Sequence, residues 1–372
     1  MRVVVIGAGL GGLALAHGLT RRGVDVEVYE RDTSAEVRGQ GARFHIDERG
    51  IAALRACLPG AQFALFEATL GQPSTNLTVL DDRLEVVSSQ PFAGREGLPD
   101  DVRPGRSASR RLVRRLLAHG LDVRFGKELV RFDQGSFEQD SGVRAHFADG
   151  TTAHGDVLVG ADGIGSAVRR QYLPHAAVVD TGVRWLGGKT PLTPGLLATG
   201  LPDRIKGSFT ATQVGDVRMI VAAMRFQEPP AQVAARLLPG FDPGDSQDYL
   251  MWALVPPRID GPLWEFAKAA TAQAHPALRR VVADAWPDQC YALEMGMAEP
   301  VDVWPPSNVT VLGDAIHAML PSRGSGANTA LQDAARLAAA LAAPDLLTAI
   351  EGYEHQLRRD GFEAVQASMR FG

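Results

Sequence analysis

Residues 2–12 read RVVVIGAGLGG, an apolar run that leads directly into a glycine-rich turn. The run is short enough for a strand buried on both faces, and the residues after it have the pattern of a helix. Gly7 permits a tight turn, Gly9 lets the backbone approach a pyrophosphate, and Gly12 lets the helix pack close to the strand. With a second apolar strand at residues 24–29, the segment predicts a β-α-β dinucleotide-binding unit.

Glu30 lies 18 residues after Gly12, at the end of the second predicted strand. A carboxylate there can accept hydrogen bonds from both ribose hydroxyls and would repel a 2′-phosphate. The motif by itself leaves FAD and NAD open, and a glycine-rich turn without a ligand is the alternative. The predicted contacts of the dinucleotide in this region are Gly7, Gly9, Leu10, Gly11, Gly12, Glu30 and Arg31.

Two further motifs follow apolar strands. Residues 160–169 read GADGIGSAVR, and residues 312–317 read LGDAIH and continue through PSRGSGAN to residue 328. Asp314 at a strand end can accept from a ribitol hydroxyl, while Gly324 and Gly326 let backbone N–H groups approach a ring edge. The helix that follows directs its positive end there, which stabilises negative charge on a reduced flavin. Either motif alone could be an ordinary turn, but their order and spacing together favour FAD.

With these three motifs the sequence resembles the single-component, group A FAD-dependent aromatic monooxygenases. This is the p-hydroxybenzoate hydroxylase-like family, and the pattern is closest to its tetracycline-inactivating members. The resemblance covers nearly the whole chain. It implies that Glu30 binds the adenosine ribose, that Asp314 binds the ribitol, and that Gly324, Gly326, Ala327 and Asn328 lie against the isoalloxazine. Asp162 would serve both FAD packing and the path of the nicotinamide cofactor.

The family's Arg-x-x-Leu-x-x-x-Leu element fits best at Arg110, with Val113 in the place of the first Leu. The other arginines of this segment are either a solvated helix face or a docking site for the phosphates of a reduced nicotinamide cofactor; they are Arg106, Arg111, Arg114 and Arg115. Residues 39–47 resemble the family strand beside the flavin, where Arg43 is predicted to contact FAD. His45 is a candidate for catalysis in the pocket, with a structural role as the alternative. His317 is expected to be structural.

The resemblance also implies the reaction. NADH or NADPH reduces the FAD, which reacts with O₂ to give a C4a-(hydro)peroxyflavin that transfers one oxygen atom to an aromatic or polyketide-like small molecule. Hydroxylation, epoxidation and Baeyer-Villiger insertion stay open. Two alternatives are another FAD oxidoreductase on the same fold, such as a reductase, and a flavin-binding module without turnover.

The length of 372 residues and the hydrophobic content of 45% predict two domains. The predicted fold is α/β (α+β overall): a doubly wound parallel sheet that binds FAD, an inserted antiparallel sheet with one open face and one helix near residues 271–285, and C-terminal helices. The FAD domain is expected at residues 1–72, 96–177 and 298–372, and the substrate domain at residues 73–95 and 178–297.

The inserted sheet is expected to form the substrate pocket. Alternation along residues 217–226 separates two faces of a strand, and the sequence leaves open which face meets the flavin. The candidate substrate contacts are Trp185, Met224, Phe226, Trp252 and Pro321.

The formal net charge of -5 gives no electrostatic reason to expect nucleic acid or an anionic membrane as a partner. No apolar run is long enough for a transmembrane helix. Cys57 and Cys290 are too few and too far apart for a disulfide scaffold or a metal site, so no metal is expected. These features predict a cytoplasmic monomer or homodimer with a small-molecule substrate.

Overall fold

The computed structural model describes residues 1–35, 41–73, 76–91, 105–135, 142–203, 205, 209–244 and 246–369. Gly39 and Gln40 of the predicted flavin-side strand, and the predicted domain boundary between residues 95 and 96, lie outside these ranges.

The strands, numbered along the chain, are β1 (Arg2–Ile6), β2 (Asp25–Tyr29), β3 (Arg43–Asp47), β4 (Asn76–Leu80), β5 (Val86–Pro91), β6 (Gly105–Ser109), β7 (Val123–Arg124), β8 (Leu129–Gln134), β9 (Val143–Phe147), β10 (Thr152–Gly155), β11 (Val157–Gly160), β12 (Val178–Pro191), β13 (Phe209–Val214), β14 (Val217–Met224), β15 (Tyr249–Val255), β16 (Tyr291–Ala298) and β17 (Val309–Val311). The helices are α1 (Leu10–Thr20), α2 (Glu48–Cys57), α3 (Gly60–Ala68), α4 (Arg110–Ala118), α5 (Ala167–Tyr172), α6 (Pro194–Leu197), α7 (Pro230–Leu237), α8 (Leu263–Ala270), α9 (Pro276–Ala283), α10 (Asp314–His317), α11 (Gly326–Ala340) and α12 (Leu346–Met369).

A parallel sheet in the order β17-β11-β1-β2-β7 holds the three motifs. β1 lies between β11 and β2, and Val3, Val4 and Val5 have no exposed surface because helices and the three-stranded sheet β10-β9-β8 cover the two faces. α1 crosses from β1 to β2 and packs against α11. The predicted β-α-β unit is confirmed, and all three motifs begin at the carboxyl ends of neighbouring strands, where ligands bind in sheets of this kind.

A second sheet has the order β16-β12-β15-β14-β13-β4-β5. Its strands come from residues 76–91 and from residues 178–298. Its neighbours are antiparallel, as expected, except that β4 and β13 run parallel. The sequence could not show this exception, because it depends on where the chain re-enters the sheet after the segment that contains β6 to β11. The limits of the two predicted domains stay a prediction.

The expectation of one open face is wrong. On one face, Met219, Val221 and Leu254 pack into a core with α8 and α9. The opposite face carries Ile220, Ala222 and Met251, and this face is directed to the nucleotide-binding sheet. Burial of both faces explains why β15 has no exposed residue.

The helix expected near residues 271–285 is present as α9, although it begins later, at Pro276. The expectation that it is the one helix of the inserted region is wrong, because this region also contains α6, α7 and α8. The His275 side chain accepts a hydrogen bond from the Ala277 amide and caps α9, and Pro276 is the first residue of α9. Proline disfavours a helical conformation in the residue before it, so the helix begins at Pro276.

A ribbon of β3 and β6 connects the two sheets. Arg43 pairs with Ser109 and His45 with Ser107, and an isolated bridge joins Gly71 to Phe226. None of the described helices is both long enough and apolar enough to cross a membrane.

Candidate cofactor and substrate site

The glycine-rich loop is shaped by close backbone contacts. Gly7 has a φ of +109°, and a Cβ there would lie 2.3 Å from the Ala161 carbonyl oxygen. A Cβ on Gly12 would lie 2.1 Å from the Gly7 carbonyl oxygen, whereas a Cβ on Gly9 would meet nothing within 4 Å. Gly7 and Gly12 therefore permit the turn and the helix packing, while the open side of Gly9 borders a cavity.

Glu30 is held beside this loop. Its Oε2 accepts from the Ala8 amide at 2.8 Å, and its Oε1 accepts from the Asp32 amide at 3.0 Å. Because each carboxylate oxygen accepts more than one hydrogen bond, Glu30 keeps capacity for a ribose hydroxyl. The carboxylate is buried except where it borders the cavity.

Arg114 stabilises the glycine-rich loop beside Glu30, and neither sequence interpretation of Arg114 was right. Its side chain is buried, and Nε donates to the Ala8 carbonyl at 3.1 Å. Its Nη2 lies 3.8 Å from Glu30 Oε2 and 3.7 Å from Asp32 Oδ2. Arg114 is thus neither solvated nor placed to dock a second cofactor; it holds the loop and Glu30 together. The sequence could not show this, because it depends on α4 packing against the glycine-rich loop.

The Asp162 carboxylate organises its own motif. It accepts from Ser166 Oγ and from the amides of Ala167 and Val168, at 2.7 and 3.2 Å. Burial raises the pKa of this carboxyl, against the opposing effect of these hydrogen bonds. Asp162 therefore fixes the start of α5 at the edge of the cavity.

Asp314 and His317 lie on α10 and have different surroundings. Asp314 is exposed and borders the cavity, as its predicted ribitol contact requires. His317 is fully buried, and its Nε2 lies 2.6 Å from Asp333 Oδ2. The same oxygen of Asp333 accepts from the Gly313 amide at 3.0 Å.

Asp333 was missed by the sequence analysis. A signal for it exists, because Asp333 lies in helical register with Leu337 and Leu341, both buried. A charged residue in a buried helical stripe is expected to have a partner.

Asn328 was expected against the isoalloxazine, but it does not border the cavity. Its Oδ1 accepts from the Asp47 amide at 3.0 Å, and its Nδ2 donates to the carbonyls of His45 and Gly324, both at 3.0 Å. Its amide is therefore used to join the start of α11 to β3. His45 borders the cavity and packs against Gly324, where a Cβ would lie 2.8 Å from the His45 Cβ.

The three motif loops meet at one cavity of about 490 Å³. All the other predicted cofactor residues border it: Gly7, Gly9, Leu10, Gly11, Gly12, Glu30, Arg31, Arg43, Arg110, Asp162, Asp314, Gly324, Gly326 and Ala327. No described side chain caps the N-terminus of α1 or of α11, so both helix ends leave amide donors for a ligand. The residues therefore fit a dinucleotide with its pyrophosphate at α1 and its ring near α11.

The cavity continues to the seven-stranded sheet. Apolar side chains cover this wall, namely Leu77, Trp185, Phe209, Met251, Leu293 and Met295. Trp185 and Pro321 border the cavity, and their contact with the substrate stays a prediction. Met224 and Phe226 share the inward face but pack around Gly71 and the adjacent core without bordering the cavity.

Trp252, which is predicted to contact the substrate, does not border the cavity. It lies on the other face of the sheet, fully buried with Leu254 and the helices there, and its Nε1 donates to Thr190 Oγ1 at 3.1 Å. Neighbouring residues of a strand point to opposite faces, so Met251 borders the cavity and Trp252 does not.

The predicted arginines differ in their surroundings. Arg43 and Arg110 both border the cavity. Burial lowers the pKa of Arg110, and the nearby Asp314 opposes this effect. Arg106 instead donates to the carbonyls of Gly71 and Leu70.

Comparison with known proteins agrees with this geometry. A family profile described as "FAD binding domain" matches residues 1–187 and 195–352. The chain is 32% identical to elcB of Phaeosphaeria nodorum, a dual O-methyltransferase/FAD-dependent monooxygenase, over 98% of this chain and 45% of that protein. It is 28% identical to the FAD-dependent monooxygenase thnD of Trichoderma harzianum, over 99% of this chain and 92% of thnD.

A crystal structure from Photorhabdus luminescens, of a protein assigned as an FAD-containing monooxygenase, superposes with a TM-score of 0.80 and 30% identity, over 100% of this chain and 97% of that one. The chain spans less than half the length of the first curated relatives, 45% and 42%. The profile nevertheless matches most of the chain, and the matched residues include all three motif loops that border the cavity. The chain belongs to the FAD-binding-domain family of flavoprotein monooxygenases, the group A enzymes.

Proposed function

We propose that this protein is an FAD-dependent, NAD(P)H-consuming monooxygenase that inserts one oxygen atom from O₂ into an aromatic or polyketide-like small molecule. The observation that carries the proposal is the single cavity that joins the nucleotide-binding loops to an apolar wall of the second sheet. Relatives named as FAD-dependent monooxygenases support the same activity.

FAD held by the three motif loops, with NADH or NADPH as the reductant, would supply the chemistry of oxygen activation. The chain's own residues bind and orient the reactants. Glu30 and Asp314 accept hydrogen bonds from ribose and ribitol hydroxyls, and the two uncapped helix ends favour negative charge on the pyrophosphate and on the ring. The wall that contains Trp185 and Met251 excludes water and receives a flat apolar substrate.

The test is product analysis under labelled oxygen. The FAD-loaded protein is supplied with NADPH or NADH, heavy-isotope O₂ and a panel of hydroxylated aromatic and fused-ring compounds. We expect faster NAD(P)H oxidation with at least one compound and a product that gains one labelled oxygen atom. Catalase is included so that hydrogen peroxide released by the flavin cannot oxidise the compounds. NAD(P)H oxidation that yields only hydrogen peroxide with every compound, with no labelled product, would refute the proposal.

The matched control is the Gly7→Ala variant, in which the new Cβ would collide with the Ala161 carbonyl. This variant is expected to lack FAD and to leave both NAD(P)H and the panel unchanged. The cytoplasmic location and the monomeric or dimeric state stay predictions.

A further inference from the structure

Arg43 lies at the junction between the cofactor loops and the substrate wall. It is the first residue of β3, and its Nη1 donates to the carbonyl of Ala223 in β14 at 2.7 Å. The preceding residue is held as well, because Tyr249 Oη donates to the Ala42 carbonyl at 2.8 Å. The side chain therefore has a defined position against the second sheet while it borders the cavity.

The charge of Arg43 has no protein counter-ion within the described part of the chain, because its polar partner there is the neutral carbonyl of Ala223. Burial lowers the pKa of Arg43 to about 10, and the opposing effect comes from the hydroxyl of Tyr249 rather than from a carboxylate. A guanidinium has five N–H donors in a planar fork, and the bond to Ala223 uses one of them. A desolvated cation is stabilised when an anion binds beside it.

Arg110 and Arg43 lie in different parts of the cavity. Asp314, the predicted ribitol contact, is the group that most strongly opposes the effect of burial on the pKa of Arg110, so Arg110 belongs to the cofactor side. Arg43 instead donates to β14 of the second sheet, and β14 pairs with β15, the strand that carries Met251 of the apolar wall. An anion at Arg43 would therefore belong to the molecule that lies against this wall.

The carboxylates that border the cavity lie elsewhere. Glu30 accepts from the Ala8 amide of the glycine-rich loop, and Asp162 accepts from the Ala167 amide of its own loop. Asp314 is on α10, and Glu128 immediately precedes β8. The protein as a whole is negatively charged, with a formal net charge of -5, so it does not attract small anions in general. Selection of an anion at this wall would depend on the local guanidinium.

We propose that Arg43 binds an oxyanion of the aromatic substrate, either a carboxylate or an ionised phenol, and holds it against the sheet wall. The inference names the substrate class and rests on the proposed function for the identity of the site. It replaces the sequence-based expectation that Arg43 contacts FAD. A charge-assisted, bidentate contact of this kind selects an anion over a neutral molecule of the same shape.

Binding is measured without turnover, from the change in flavin absorbance when probes are titrated into the FAD-loaded protein in the absence of NAD(P)H. One probe pair is hydroxynaphthoate and hydroxynaphthamide, which differ in a carboxylate. The other is para-nitrophenolate and its methyl ether, which differ in an ionised phenol. The wild-type protein is expected to bind at least one anion about 10- to 100-fold more tightly than its neutral partner.

The Arg43→Met variant is expected to lose this preference while it keeps its affinity for FAD and for the neutral probes. Arg43→Lys retains the charge without the planar fork and is expected to keep part of the preference, so it tests the inference even if the methionine variant does not fold. The matched control is Arg218→Met, which removes an exposed arginine of β14 that does not border the cavity. It should bind all probes as the wild type does.

Three results would overturn the inference: equal affinity of the wild type for both members of each pair, equal weakening of anion and neutral probe in both Arg43 variants, or loss of FAD in place of anion selectivity. The two proposals fail separately. Anion selectivity without any labelled product refutes the monooxygenase proposal alone, and labelled product without an effect of Arg43 on selectivity refutes the substrate inference alone.

Discussion

The Asp333→Asn substitution removes the charge that faces buried His317. The two side chains are each 1% exposed, and 2.6 Å separates His317 Nε2 from Asp333 Oδ2. The same carboxylate oxygen accepts a hydrogen bond from the Gly313 amide at the start of α10. A change at Asp333 therefore acts on α11, on α10 and on the position of Asp314 in the cavity.

The expected cost follows from this burial. Loss of one partner from a buried ion pair costs about 3–5 kcal/mol, which is the range we expect for Asp333→Ala. Asparagine keeps an acceptor for one of the two donors, so Asp333→Asn should cost about 1.5–3 kcal/mol, the range for a hydrogen bond to a charged group.

The pair also predicts a pH dependence. Burial lowers the pKa of His317, but the charge of Asp333, the hydrogen bond to Asp333 and, to a smaller extent, the charge of Asp314 raise it. In sum the pKa lies above 6.5. A histidine whose pKa is raised by folding stabilises the protein fully below its unfolded pKa of 6.5. The free energy of unfolding of the wild type, relative to His317→Gln, should therefore decrease as the pH rises through the folded pKa.

Urea unfolding at one fixed, saturating FAD concentration measures these effects, with far-ultraviolet circular dichroism and flavin fluorescence recorded together. The control is Asp302→Asn, which changes an exposed carboxylate. If Asp333→Asn lies within about 0.5 kcal/mol of this control, the ion-pair argument is refuted. A difference between wild type and His317→Gln that grows as the pH rises would refute the assigned pKa direction.

Four further substitutions test the cofactor site and the sheet. Gly7→Ala, which places a Cβ 2.3 Å from the Ala161 carbonyl oxygen, should abolish FAD retention, and stoichiometric FAD in the purified variant would contradict this. Glu30→Gln keeps the shape but loses the charge, so FAD affinity measured by fluorescence titration should fall about 10-fold, and unchanged affinity would argue against a ribose contact. Trp252→Phe should lower the free energy of unfolding by about 1 kcal/mol and leave the substrate KM unchanged. Trp185→Phe should change the substrate KM with little effect on stability. The opposite pattern would mean that the assignment of the two faces of the seven-stranded sheet is reversed.

The nucleotide-binding unit could be predicted from sequence because its requirements are local. Gly7 and Gly12 are needed by backbone atoms only a few positions away or in the adjacent strand, and a short apolar strand followed by a helix has few alternatives. The separation between Gly12 and Glu30 then sets the carboxylate at the end of the second strand. Local geometry of this kind leaves a pattern along the chain.

Side chains that join distant segments could not be assigned in the same way. Arg114 is 106 residues from Ala8, whose carbonyl it binds, and its neighbours in sequence are arginines of similar pattern. Asp333 is 16 residues from His317, on a different helix. Their burial depends on how α4 and α11 pack, and packing of distant elements leaves no local periodicity.

The sequence by itself determined the dinucleotide fold, the three loops that meet at the cavity and the division of the β14 side chains into two faces. Only the tertiary structure decided which face meets the nucleotide-binding sheet, and hence that Met251 and Trp185 border the cavity while Trp252 packs beneath the helices. The physical reason is that a strand's period of two identifies which residues share a face, whereas both faces of this sheet are apolar and buried, so polarity does not distinguish them.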